Sequence, residues 1–374
     1  MRYTLVIFFA ALFFFSACQE KYDIGIIYKK ADEYKAEMSL TMGDTSYIEK
    51  DSWSGMFNKP RTIMYGLDQL LYVADTYNNR VVMLNIAGQV MSTSRFILHP
   101  IALAQDNRLD LLVGAETIEP STNDTIGIVL RIKLVAAAHH LENAVIDTVW
   151  KEPARPKRRF VGIGVMVNDE FLIARDGPDN SSVVDPDARV LRFRHNENAP
   201  AGKKDNLITP LGEFQSGAGN GISFINHPTG LATFPNSGDF ILTQKSEGVQ
   251  YSAIWMVYTH TNDFDGWMPK FDPSDPNQRA DFITPNRFKN AVNVGIDRIK
   301  RDIFIVDDMD AGRDSVVKFN NRGRLKTESF GTLTPGIQLK NPGGVAVSGS
   351  NSTDYTLYVC DTENNRIVLY RLNQ

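Results

Sequence analysis

One fourteen-residue stretch occurs twice in this chain, once near each end. Residues 71–84 read LYVADTYNNRVVML and residues 357–370 read LYVCDTENNRIVLY, so nine of the fourteen positions are identical. Each copy places Asp, Asn and Arg between two runs rich in β-branched and aromatic residues, the pattern of a strand, a tight turn and a second strand. A unit that recurs at both ends, with weaker copies between, predicts a repeat protein.

The weaker copies can be followed through the middle of the chain. The positions equivalent to Asp75 are Ala115, Arg175, Gln244, Asp307 and Asp361. The first unit has short strand patterns at 62–65, 70–74, 80–85 and 89–95, joined by Gly, Asn and Asp turns. Six units of this kind predict an all-β fold, a six-bladed β-propeller of four-stranded antiparallel blades.

The last unit lacks its fourth strand. Its third strand ends at Tyr370, and only four residues follow. The strand-like pattern at 45–53 is the remaining candidate. We therefore predict that a strand from the N-terminal part of the chain closes the ring.

The first residues have the layout of a secretory signal. Arg2 precedes an apolar run at 5–15, and small residues stand before Cys18. Residues 15–18, Phe-Ser-Ala-Cys, resemble a bacterial lipobox, although Phe15 stands where Leu is usual. The resemblance implies a signal peptide at 1–17, a diacylated Cys18 and a lipidated tether at 18–42, ahead of a propeller at 43–374. The alternative is a plain secreted protein cleaved nearby.

The repeated stretch also resembles the NHL repeat. Residues 72–81 and their C-terminal twin carry this similarity, and NHL repeats build six-bladed propellers. The residues that match the family motif are Asp75, Asn78, Asn79, Arg80, Asp361, Asn364, Asn365 and Arg366. The resemblance implies that their role is structural, because these side chains hold the turn between the second and third strands.

Composition narrows the choice of partners. The net charge is −4, so the chain as a whole has no attraction for nucleic acid.

Cys18 and Cys360 are the two cysteines. With Cys18 lipidated, we expect Cys360 to be unpaired and to act as a small buried hydrophobic residue.

The middle four units are expanded after their second strand, at 116–124, 176–187, 244–250 and 307–314. These loops share one face of a propeller, and loops on a rigid scaffold often carry function. We predict a face that binds a protein partner, with these candidates: Glu116, Asp176, Asp179, Asp185, Asp187, Asp307, Asp308, Asp310 and Trp267. The alternative is an ordinary solvated loop surface.

Signals for metal binding are few. Residues 261–272 resemble a calcium loop, with Asp263, Asp265 and Asp272 as candidate ligands, although position one is Thr; the alternative is a polar loop. Related six-bladed enzymes, such as lactonases and amidating lyases, hold an axial metal through Glu, Asn and Asp or through several His. Here His99 and His227 stand at matching places before a Pro, which indicates repeat residues rather than ligands. No nucleophile or phosphate-loop motif is present.

Three hypotheses follow. The first is a non-catalytic outer-membrane lipoprotein of a Gram-negative bacterium, on the cell surface or the periplasmic face, that binds an envelope protein complex and needs no cofactor beyond its lipid. The second is a metal-dependent lyase or hydrolase with an axial site. The third is glycan binding in nutrient uptake, through loop aromatics such as Trp267, which otherwise pack the loop onto its own blade.

Overall fold

The structure is a computed structural model that describes residues 46–200, 202–278, 280–309, 313–334, 336–349 and 355–373. The predicted signal peptide, the predicted tether with Cys18, and Asp310 lie outside the described residues. Within them, no helix is long and apolar enough to cross a membrane.

The strands form six sheets of four, as predicted. Strand β1 is Ser46–Trp53. Blade 1 contains β2 Pro60–Tyr65, β3 Leu71–Asp75, β4 Arg80–Leu84 and β5 Val90–Thr93; blade 2 contains β6 Ala102–Gln105, β7 Leu111–Ile118, β8 Thr125–Lys133 and β9 Val145–Lys151. Blade 3 contains β10 Arg159–Val165, β11 Glu170–Asp176, β12 Arg189–His195 and β13 Asp205–Pro210. A short parallel pair, β14 Gln215–Ser216 and β15 Phe224–Ile225, precedes blade 4.

Blade 4 contains β16 Pro228–Thr233, β17 Phe240–Gln244, β18 Ala253–His260 and β19 Asp265–Pro269. Blade 5 contains β20 Ala291–Ile296, β21 Ile303–Asp307, β22 Ser315–Phe319 and β23 Phe330–Gly331. Blade 6 contains β24 Pro342–Ser348, β25 Thr356–Asp361 and β26 Arg366–Asn373, with β1 as its outer strand. Consecutive strands of a blade pair antiparallel throughout.

The ring closes through β1, which confirms the predicted N-terminal closure. Strand β1 pairs with β26 from Ser46↔Asn373 to Trp53↔Ile367, with a register shift between Glu49 and Asp51. A bulge changes the face to which later side chains point. Tyr47 therefore packs into the core between blades 5 and 6, while Trp53 packs into the core between blades 6 and 1.

The hydrophobic core lies between neighbouring blades. Six clusters of buried side chains fill the interblade spaces, each drawing on two adjacent sheets. The innermost strands approach one another closely enough to require glycine: a Cβ built on Gly343 would lie 2.4 Å from the carbonyl oxygen of Arg61 in the next blade. This agrees with small residues being expected where six strands meet at an axis.

The expanded loops lie on one face, since each joins the second strand of a blade to its third. They span 119–124, 177–188, 245–252 and 308–314, whereas blades 1 and 6 turn through the short 3-10 helices Thr76–Asn78 and Thr362–Asn364. The connections between blades lie on the same side. We call this side the insertion face, and the other side the opposite face.

Cys360 lies on β25 and is free and fully buried. Burial raises the pKa of its thiol well above the ordinary value. The side chain acts as a small hydrophobic group in the core between blades 6 and 1, as expected from the sequence.

Candidate functional site

The repeated motif forms the same hydrogen-bonded turn at both ends of the chain. Asp75 Oδ1 accepts from the backbone N–H of Asn58 at 2.8 Å, and its Oδ2 accepts from Asn78 Nδ2 at 2.8 Å and Arg80 Nε at 2.9 Å. In blade 6 the donors to Asp361 are the N–H of Lys340 and the side chains of Asn364 and Arg366, at 2.7 to 2.8 Å. Asn79 and Asn365 adopt left-handed φ values of 54° and 55°. These side chains are fully engaged in making a blade.

Asp307, one of the predicted partner-binding residues, occupies the same place in blade 5. Its Oδ1 accepts from the N–H of Asn290 at 2.7 Å. Gln244 takes this place in blade 4, where its side-chain amide oxygen accepts from the N–H of Asn226 at 2.8 Å. Asp307 is 2% exposed, and burial raises its pKa. Its side chain is therefore turned into the blade rather than toward the surface.

Two histidines precede the prolines that open inner strands, as the repeat predicts. His99 and His227 have φ values of 41° and 50°, and Lys59 and Asn341 take the same left-handed conformation at the equivalent places. His99 Nδ1 lies 2.7 Å from Glu116, and His227 Nδ1 lies 3.1 Å from Asp176. Each imidazole thus meets a carboxylate of the insertion face.

Two acidic candidates of blade 3, Asp185 and Asp187, belong to an ion network around two buried arginines. Arg158 donates to Asp187 Oδ1 at 2.6 Å, to Asp185 Oδ2 at 2.8 Å and to Glu152 Oε2 at 2.6 Å. Arg175 donates to Glu152 at 2.8 Å and to Asp185 at 3.1 Å. Burial alone would raise the pKa of Asp185, but the hydrogen bond from Arg158 lowers it. The network fixes the blade 3 loop.

The remaining acidic candidates have different environments. Glu116 also accepts from Arg159 Nε at 2.6 Å. Asp179 is exposed and accepts from the backbone and hydroxyl of Ser181. Asp308 is partly buried and accepts from Asn290 Nδ2 at 3.3 Å. Of the acidic candidates, Asp179 and the half-exposed Asp185 are the most accessible.

Trp267 is not a surface residue, which corrects its predicted place in a partner or glycan site. It lies on β19 with 2% exposure, and its indole N–H donates to the carbonyl of Gly238 at 2.7 Å. Its ring contacts Phe240 and Tyr258 edge-on, with the Arg192 guanidinium 5.1 Å from the ring centre. The side chain is buried, as in the alternative that the sequence left open, but it packs from a strand into the core between blades 3 and 4.

The calcium candidates do not form a metal-binding group. Asp265 begins β19, where its carboxylate accepts from the Tyr258 hydroxyl, whereas Asp272 accepts from the backbone and side chain of Ser274 at 2.8 and 2.6 Å. Asp263 lies exposed in the turn between β18 and β19. Across the described ranges, no three His, Cys, Asp or Glu side chains come together in a way that could hold a metal ion.

A channel follows the propeller axis. Its main cavity, of about 350 Å³, is lined by inner-strand residues of all six blades. Polar groups at its end on the opposite face are used in hydrogen bonds between blades: Gln105 donates to Asp68 at 2.9 Å, and Arg298 donates to the carbonyl of Gly66 at 2.8 Å. These polar groups therefore connect blades to one another at this end of the channel.

A second cavity, of about 120 Å³, opens at the insertion face and shares Thr62, Val161 and Asn293 with the main cavity. We call it the channel mouth. Its polar lining residues are Arg61, Thr62, Asp176, Thr229, Lys245, Asn293 and Asn341. Arg61 and Lys245 are accessible to solvent, and neither side chain has a hydrogen bond or ion pair with any described residue. The confined position of Arg61 lowers its pKa through desolvation, which the charge of Asp308 opposes.

Neither cation is among the site residues predicted from the sequence, although the repeat contains a signal that identifies both positions. Arg61 directly follows the Pro that opens β2, and Lys245 directly follows Gln244, the blade 4 equivalent of Asp75. Arg61 lies at the insertion-face end of the inner strand of blade 1, and Lys245 follows the second strand of blade 4 at the same face. Cations at these positions distinguish this mouth from a carboxylate-lined metal site.

Comparison with known proteins gives the fold alone. No protein-family model and no curated protein matches the sequence. A glucose dehydrogenase structure is 12% identical, with a TM-score of 0.55 over 88% of this chain and 100% of that chain. A gluconolactonase from Xanthomonas campestris is 11% identical, with a TM-score of 0.50 over 89% of this chain and 99% of that chain.

A third similar structure is regucalcin from Agrobacterium tumefaciens, described as a calcium-binding protein. It is 9% identical, with a TM-score of 0.51 over 88% of this chain and 95% of that chain. Among the described residues, the side chains at the channel mouth do not suit a calcium ion. The mouth presents two cations, Arg61 and Lys245, and a single carboxylate, Asp176.

Proposed function

We propose that this chain is a lipid-anchored binding protein of the cell envelope, without catalytic activity, and that its insertion face docks on a protein partner in an outer-membrane complex. The observation that supports this most directly is a set of large apolar side chains exposed on that face. Val183 and Val184, at the tip of the blade 3 loop, are 92% and 88% exposed. Contiguous exposed apolar surface typically marks an interaction site.

Blades 1 and 2 expose further apolar side chains on the same face. Phe96 in the connection from blade 1 to blade 2 is 73% exposed, Tyr77 in the blade 1 turn 56%, and Ile118 at the end of β7 54%. None of these side chains contributes to a buried core. The carboxylates between them are largely engaged with Arg158, Arg159 and Arg175. A partner with a complementary apolar surface therefore fits this face better than a strongly basic one.

The path of the chain gives this face an orientation. Strand β1 begins at Ser46, opposite Asn373, and ends at Trp53 on the side of the insertion face. The preceding chain consequently joins the propeller at the opposite face. The 27 residues numbered 19–45 separate Cys18 from Ser46. A lipid on Cys18 would thus leave the insertion face directed away from the membrane.

Capture from detergent-solubilised membranes tests the proposal. The parent chain is compared with Val183→Asp/Val184→Asp and with a matched control on the opposite face, Ile86→Asp/Val135→Asp, whose residues are 57% and 55% exposed. We expect one partner to be recovered with the parent and the control but lost with the Val183/Val184 variant. Equal recovery with all three proteins would refute docking through this face.

A metal-dependent propeller lyase or hydrolase is the second candidate. Similarity of fold to a gluconolactonase and to calcium-binding regucalcin favours it, whereas the two cations at the mouth do not. Metal analysis of the purified protein separates the candidates. Calcium or zinc retained at one equivalent after extensive dialysis would support the enzyme and contradict the non-catalytic proposal.

A further inference from the structure

The channel mouth contains two cations without an ion pair to any described residue. Several basic side chains elsewhere on this face are paired, as for Lys59 with Glu363 at 3.0 Å and Lys151 with Glu119 at 2.8 Å. Arg61 and Lys245 form no such pair with the described residues. They belong to blades 1 and 4, which stand opposite each other in a ring of six, so they approach the axis from opposite sides.

We propose that the channel mouth is a binding site for a small oxyanion, a carboxylate or a phosphate, held between Arg61 and Lys245. Guanidinium and ammonium groups are the usual donors to such anions, and charge-assisted hydrogen bonds are stronger than neutral ones. Asp176 is the single carboxylate that lines the mouth beside these two cations.

Two amides add neutral donors at the same place. Asn293 Oδ1 accepts from the N–H of Val294 at 2.8 Å, which leaves its NH₂ group free to donate. The Asn341 side chain lines the mouth, and its amide has no partner among the described residues. An oxyanion has several lone pairs to satisfy, and four donors around one small cavity match that need.

The carboxylate of the mouth does not cancel both cations. Asp176 is a single negative charge that is shared between His227, whose Nδ1 lies 3.1 Å away, and Lys245, and Asp308 does not line the cavity. The volume of about 120 Å³ admits a compact anionic group. Because the mouth shares residues with the main cavity, a neutral remainder of the ligand would extend along the axis, between apolar inner-strand walls.

Titration calorimetry of the purified full chain tests the site, with inorganic phosphate and succinate as separate probes at low ionic strength. We expect saturable one-to-one binding of at least one probe, weakening as salt is added. The probe that binds identifies the ligand as phosphate-bearing or carboxylate-bearing.

Variants locate the binding. Arg61→Gln and Lys245→Gln should each weaken it about 10-fold or more, because a hydrogen bond to a charged group contributes roughly this factor, and the double variant should abolish it. Lys157→Gln is the matched control, since Lys157 is an exposed cation on the insertion face that does not line the mouth. Its affinity should equal that of the parent.

The proposal is overturned if neither probe saturates by about 10 mM, or if the double variant binds as tightly as the parent. It is also overturned if calcium chloride gives saturable binding that Asp176→Asn removes, because the mouth would then be a cation site. Thermal melting without ligand verifies that each variant is folded. The test is independent of partner docking, since Val183 and Val184 do not line the mouth.

Discussion

The side-chain oxygen of Asn365, in the last blade, accepts a hydrogen bond from the backbone N–H of Lys59, in the first, at 2.8 Å. The equivalent contact between blades 1 and 2 joins Asn79 to the N–H of His99 at 3.0 Å. Thr362 and Thr76 likewise donate to the carbonyls of Pro60 and Pro100 at 2.8 and 2.7 Å. The motif therefore closes the ring with the same bonds that join consecutive blades.

Replacing Asp361 by Ala should destabilise the propeller strongly. The carboxylate is fully buried and accepts from Lys340, Asn364 and Arg366, so its loss leaves a buried N–H and a guanidinium without their partner. We expect the free energy of unfolding to fall by about 3 kcal/mol, as for breaking a buried ion pair. Urea denaturation measures the loss. Asp124→Ala, on the exposed blade 2 loop, is the control, and an equal effect there would contradict the structural role.

Removing β1 should leave the ring open. A chain that begins at Asn58 lacks Tyr47 and Trp53, which fill the cores on the two sides of blade 6. It also exposes the unpaired edge of β26, and such edges promote aggregation. We expect this truncated chain to form oligomers or aggregates by size-exclusion chromatography with light scattering. A chain that begins at Gly43 keeps β1 and should be monomeric; a monomeric, cooperatively folded Asn58 chain would argue against closure by β1.

The repeat made the fold predictable because its residues act locally. Asp75, Asn78 and Arg80 form their turn within six positions of sequence, so the spacing of the motif is enough to identify the blade. Closure by β1 followed from counting strands. The bulge between Glu49 and Asp51 was not predictable, since it depends on which neighbouring core each aromatic side chain must reach.

The candidate site was harder to predict because its contacts join residues that are distant in the sequence. Acidic residues in the blade 3 loop indicated an exposed charged rim, but Arg158, from the preceding connection, folds back to bind Asp185 and Asp187. Trp267 stands in a loop-rich segment yet packs against Phe240. Such pairings join distant segments. The composition of a single loop therefore does not show which charged and aromatic side chains are paired or buried in the fold.

Replacing Arg158 by Met should loosen the blade 3 loop. Arg158 is 4% exposed and donates to three carboxylates. Its removal leaves Glu152, Asp185 and Asp187 with less positive charge beside them. We expect a loss of about 3 kcal/mol in the free energy of unfolding, and faster proteolysis within 177–188. Arg155→Met is the control: Arg155 is half-exposed and 4.0 Å from Asp185, so its change should be under about 0.5 kcal/mol. Equal proteolysis rates in both variants would contradict the network's role.

Replacing Asp297 by Asn should stabilise the protein at neutral pH but not in acid. Burial raises the pKa of Asp297 to about 6; hydrogen bonds from Ile299 and Lys300 oppose this shift, and the charge of Asp302 adds to it. The folded state therefore holds a proton that the unfolded state releases near pH 4. Stability from this group is complete below about pH 4 and declines as the pH rises toward 6.

The expected size follows from the same linkage. Above pH 6 the Asn variant avoids an ionised buried carboxylate, while its amide oxygen can still accept from the N–H of Ile299, which lies 2.8 Å from Asp297 Oδ1. We expect the variant to exceed the parent by about 1 to 3 kcal/mol at pH 7.5 and to match it near pH 3.5. Urea denaturation across this pH range measures the difference. A difference in stability that is the same at every pH would contradict the raised pKa of the Asp297 carboxyl, which is buried near Asp302 and Tyr355.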